Sequence, residues 1–121
     1  MLRILVWLLL SGWSGILEAA PGESFLPTFA ECQEGSDFIK NAALSRDNGY
    51  TQKKIVGRFD EDVIVLSGMD PQKRWFIRSP GAILFLRQAL LAVFQTPRSP
   101  LEQSRAFLAA CKEQVLKPED L

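Results

Sequence analysis

Histidine is absent from this 121-residue chain. Its absence removes the commonest general base, the commonest zinc ligand and the ordinary pH switch together. Net charge is absent too, because 14 basic residues meet 14 acidic ones. A neutral chain has no electrostatic footprint for nucleic acid, which demands a basic patch or stripe, so no nucleic-acid partner is expected. Strand signals are missing as well. No apolar–polar alternation runs along the chain, and the one Asn-Gly pair, Asn48-Gly49, follows a helical pattern rather than a β-type run. There is no internal repeat, no low-complexity tract and no glycine-rich phosphate loop, and no motif implies a metal or cofactor. Cysteine is scarce, with Cys32 and Cys111 the only two.

What is present begins with a leader. Arg3 supplies a positive start, the run Ile4 to Leu10 is apolar and continues to Leu17, and Ala19 and Ala20 precede Pro21. That layout predicts a secretory signal peptide over residues 1–19, removed after Ala19. The competing reading is an uncleaved anchor. A spanning helix needs about 20 predominantly apolar residues, and Ser11, Gly12, Ser14 and Gly15 dilute this run before Glu18 ends it. Removal leaves no integral membrane segment, and places the protein in the periplasm or outside the cell. Arg3 and Glu18 leave together, so the mature chain stays neutral.

Export decides how the cysteines are read. Two of them in an oxidising compartment predict one disulfide. Closing so long a loop stabilises a fold by about 4.5 kcal/mol in the chain-entropy treatment, a large share of the ~5–15 kcal/mol total expected for a small domain. The alternative is a pair of free or redox-active thiols. The wide spacing is unlike Cys-x-x-Cys and favours a structural bond.

The mature chain reads as one all-α domain over residues 28–117, a small bundle of four main helices plus one short helix. A tether over 20–27 precedes it, with Pro21 and Pro27 blocking regular structure, and residues 118–121 fray. Thr28 with Glu31 forms a capping-box pattern. Cys32, Gly35, Ile39, Ala42 and Ala43 then share one face, widened by Phe38, before the stop at Asn48-Gly49. The small residues on that face invite close approach by another helix. Thr51 opens a second helix with Ile55, Val56, Phe59, Val63 and Leu66 at helical spacing, ending at Gly68. Val63 to Leu66 is the one place a strand could hide, but its flanks are helical. Arg58 and Asp62 can pair on the solvent side of this helix. Asp70-Pro71 opens a short third segment and Ser79-Pro80 a fourth, reaching Gln95. The fourth is apolar on most sides and is expected to be the central, buried helix. Ser99, Pro100 and Glu102 mark the start of the last helix, in which Leu101, Leu108, Cys111 and Val115 share a stripe beside Phe107.

Candidate sites are few. Asp60, Glu61 and Asp62 fan out by about 100° each on a helix and do not converge on one metal ion. Ser36-Asp37 has no histidine to activate the hydroxyl. Arg46 and Asp47, with Tyr50 beside them, form either a structural turn or a small polar recognition corner. The strongest contact candidate is Arg74-Trp75-Phe76-Ile77-Arg78, because tryptophan and arginine are enriched at binding hot spots. Against that stands a core role for Trp75 or Phe76, since a domain of ~100 residues needs its aromatics inside.

The order Cys32, then Ala42-Ala43-Leu44-Ser45-Arg46-Asp47-Asn48-Gly49, then a capped second helix, then Cys111 in the last helix resembles small exported single-disulfide helical proteins of bacteria. That resemblance implies periplasmic residence and a disulfide, and supplies no activity. A more distant likeness is to periplasmic acid-stress chaperones of the HdeA type, which are also small, helical and held by one disulfide. Their cysteines are more closely spaced, and their early Trp-x-Cys segment is missing here. The reading that results is a non-enzymatic exported binding module whose partner is another periplasmic protein. The alternatives are a stress chaperone or an inhibitor of an exported protein and, less favoured, a small hydrolase or thiol-redox protein.

Overall fold

Each helix begins where a short polar side chain turns back onto the backbone. In the computed structural model, which describes residues 25–115, the Thr28 hydroxyl accepts from the Glu31 amide at 3.1 Å and the Glu31 carboxylate accepts from the Thr28 amide at 3.0 Å. This closed capping box starts α1 (Phe29–Asp47). Thr51 caps α2 (Gln52–Leu66). Asp70 caps a single 3-10 turn, Pro71–Lys73. Ser79 caps α3 (Pro80–Gln95) and Ser99 caps α4 (Pro100–Lys112), each followed by proline at the first helical position. At Ser99 only the hydroxyl half of the expected box forms, to the Glu102 amide at 3.2 Å. The described residues contain no strand, and Val63 to Leu66 is helical. The fold is all-α, four helices and one short turn, with a disulfide between the first and last helices. The leader and the chain end from residue 116 lie outside the described residues.

The stop of α1 is a Schellman motif. Gly49 takes φ +96°, its amide donates to the Arg46 carbonyl, and the Tyr50 amide donates to the Ser45 carbonyl. Glycine reaches that left-handed conformation at low cost.

The tightest seam runs between α1 and α4. Cys32 and Cys111, 79 positions apart, are disulfide-bonded with Cα atoms 5.6 Å apart, and both are fully buried. Gly35 meets the Phe107 ring so closely that an added Cβ would stand 2.5 Å from it and 3.1 Å from the Phe76 ring. At the next residue, the Ser36 hydroxyl donates to the Ser104 carbonyl at 3.1 Å inside the seam. The small residues of α1 thus admit the second helix as their spacing implied.

Helix α3 packs against α1 and α2, while α4 lies on α1 rather than along α3. Only one stripe of α3, Leu86, Leu90 and Val93, is fully enclosed. Leu84 stays 47% exposed and Ile83, Leu91 and Phe94 are half-buried, so the helix expected to be buried on most sides is not.

Three further expectations change. Leu101 is exposed, lying about 90° around α4 from the Phe107–Cys111 line; buried Gln103 and Ser104 take the seam instead. The last helix ends at Lys112, short of the expected domain end at residue 117, because i→i+3 bonds at Gln114 and Val115 tighten the chain and lay Val115 on the core. The expected tether is pinned at its end, with Pro27 buried and the Phe25 ring 4.6 Å from Phe85 and 5.3 Å from Phe76.

Gly35→Ala is expected to destabilise the fold by about 1–3 kcal/mol although alanine is the better helix former, because the Phe107 ring must move. Urea unfolding of the variant and the parent measures it.

Candidate functional site

The segment Arg74 to Arg78 leaves the 3-10 turn as irregular backbone, and its side chains divide. Arg74 turns back over the end of α2, where its guanidinium donates to the Met69 carbonyl at 2.8 and 3.2 Å and to the Ser67 carbonyl at 2.9 Å. It supplies donors to backbone oxygens around the helix C-terminus, where a cation is favoured. Arg78 donates to the Arg74 carbonyl at 2.8 Å and stands 3.5 Å from the Glu31 carboxylate. Phe76 is 1% exposed, at the centre of an aromatic cluster with Phe25, Trp75 and Phe107. The core role weighed for this segment belongs to Phe76. Trp75 is half-buried, 5.3 Å from the Phe38 ring, and keeps an edge at the surface.

Arg46 reaches far beyond its own helix end. Its guanidinium donates to the Val93 carbonyl at 2.7 Å, to the Arg98 carbonyl at 2.6 Å and, more weakly, to the Gln103 side-chain oxygen at 3.4 Å. Asp47 pairs with it at 2.9 Å. One planar fork thereby joins the end of α1, the last turn of α3 and the α3–α4 connection, a geometry that suits arginine and not lysine. Gln103, buried in the first turn of α4, also accepts from the Arg98 amide at 2.8 Å. Tyr50 is separate from this network, 46% exposed with the Lys54 ammonium 5.0 Å from its ring.

Two grooves follow from this packing. The divergence of α3 and α4 leaves a groove of about 360 Å³, within the usual range for a ligand site. Ile39, Phe85 and Phe107 give it an apolar lining, Ala89 and Ala92 face it from α3, and Ala106 and Ala110 face it from α4. Gln103 and Arg98, which Arg46 holds, and Thr96, whose carbonyl accepts from the Gln103 side chain at 3.5 Å, also line it. A second groove between α1 and α2 has two lobes of about 200 and 230 Å³ that share Phe38, Phe59 and Asp62, with Trp75 on the first.

The acidic trio does not act as a unit. Asp60 accepts a two-pronged bond from Arg87 at 2.9 and 3.0 Å, and the hydrogen bond from that guanidinium holds its carboxyl below the usual aspartate value. The expected Arg58–Asp62 pair does not form among the described residues. Among those residues no group of three His, Cys, Asp or Glu side chains is placed to hold a metal ion.

The sequence reading missed the α3–α4 groove. Its only trace was alanine at 89 and 92 and at 106 and 110, and alanine reads first as a helix former.

Arg46→Ala is expected to destabilise the protein by about 2–3 kcal/mol, and Arg46→Lys to recover little of it, because one ammonium cannot span three acceptors. Chemical denaturation of the two variants compares them. No protein-family model, curated protein or solved structure matches the chain.

Proposed function

We propose that this is an exported, non-enzymatic helical binding module, and that the α3–α4 groove receives bulky apolar side chains of another exported, periplasmic protein. The observation that carries this reading is the groove itself, an apolar trough walled by alanines and closed by a hydrogen-bonded polar group. Alanine walls leave room for the partner's side chains, and Gln103 and Arg98 can meet backbone polar groups that the partner brings with them. Arg46 acts as a positioning residue, fixing that polar end from beneath.

Export rests on the apolar leader in the sequence and fits the Cys32–Cys111 bond. No helix among the described residues is long and apolar enough to cross a membrane. Burial of both sulfurs argues against thiol-redox chemistry, which requires a thiolate to reach the disulfide. The likeness to small exported single-disulfide proteins belongs to the same proposal.

A photo-crosslinking residue at Ala92, in the full-length protein inside cells that express it, tests the reading. The expected result is one discrete adduct with an exported protein, abolished by Ala106→Trp while that variant keeps the parent's melting temperature. No adduct, or one that survives filling of the groove, overturns it.

A further inference from the structure

The outward face of α2 breaks two local rules. Lys53 and Lys54 occupy its first turn, where no acidic residue stands, and Glu61 and Asp62 lie in its second half. That order opposes the helix dipole, which favours anions at the N-terminus and cations at the C-terminus. No ion pair among the described residues engages Lys53, Lys54, Arg58, Glu61 or Asp62. Between the charges sits Gly57, a helix-interior glycine disfavoured by roughly 1 kcal/mol relative to alanine. A Cβ there would meet nothing within 4 Å, so no neighbour among the described residues requires glycine. The same face exposes Ile64 at 76% and Val65 at 71%, and Tyr50 lies just before its start.

We infer that this face is the self-association surface of the protein, pairing α2 with α2 of a second copy in antiparallel fashion about a two-fold axis between Gly57 and Arg58. The charge pattern identifies the occupant. In a two-fold interface each residue meets a fixed counterpart and the surface must complement itself. With the axis at that point, Lys54 faces Glu61 at the middle of the seam and Tyr50 meets Val65 in the layer beside it, while Lys53 and Asp62, on opposite sides of the helix, stay at its edges. One register therefore pairs Lys54 with Glu61 twice and covers Tyr50 and Val65. Gly57 beside the axis lets the two helices approach closely, and each copy brings its acidic residues toward the other's helix N-terminus. A net charge of zero adds no long-range repulsion between copies.

Sedimentation velocity on the oxidised protein across a concentration series, at low and at high salt, tests the inference. A dimer is expected that weakens as salt rises. Lys54→Glu alone and Glu61→Lys alone should each weaken it at least about tenfold, since each breaks two symmetry-related pairs and creates repulsion. The double variant Lys54→Glu/Glu61→Lys should restore it to within about threefold, because the swapped charges still match. Gly57→Leu should abolish the dimer while raising the melting temperature of the protomer, which separates loss of the interface from loss of fold. A protein that stays monomeric at every concentration, a dimer indifferent to the single reversals, or one that the swap does not rescue overturns the inference.

Discussion

The bond between Cys32 and Cys111 is the constraint on which the rest of this structure depends. It ties the first described helix to the last, so everything between them is one closed loop. The bond sits at one end of the α1–α4 seam, where Gly35 and Ser36 let the helices touch through Phe107 and Ser104. At the other end of α1, Arg46 makes the polar counterpart, holding Val93, Arg98 and Gln103. Together a covalent clasp and a hydrogen-bonded fork fix both ends of α4 against α1.

Fixing α4 to α1 has a consequence for α3. The most apolar of the described helices loses a partner along the flank that carries Ala89 and Ala92. The groove opens on that divergence, and its polar end is the Arg46 fork. Packing and site are thus one arrangement: the contacts that rigidify the frame also decide where it stays open. An arrangement of this kind suits recognition, because preorganised surfaces lose little entropy on binding.

Much of the fold was legible because its determinants are local. Thr28, Thr51, Asp70, Ser79 and Ser99 bond within three residues of themselves, so their roles show in the sequence. The face Cys32, Gly35, Ile39, Ala42 and Ala43 was equally plain from its spacing. Arg46 and Arg74 were visible as unusual, but not what they would touch. Arg46 finds its acceptors 47 and 52 positions away, and Arg74 finds its own only because irregular backbone folds it back over α2. Both bond to backbone oxygens at helix ends, the structural alternative that the sequence had left open for Arg46. The grooves were illegible for a different reason, since the sequence records which side chains are small and not which helices diverge.

The most direct measurement is the equilibrium unfolding of Cys32→Ala/Cys111→Ala beside the oxidised parent. A double replacement is needed because both sulfurs are buried and shielded from reductant. The account predicts that the variant remains helical but loses stability approaching about 4.5 kcal/mol, the entropy of so long a loop. An unchanged unfolding midpoint would contradict it, and would mean that packing alone holds the two ends of the bundle together.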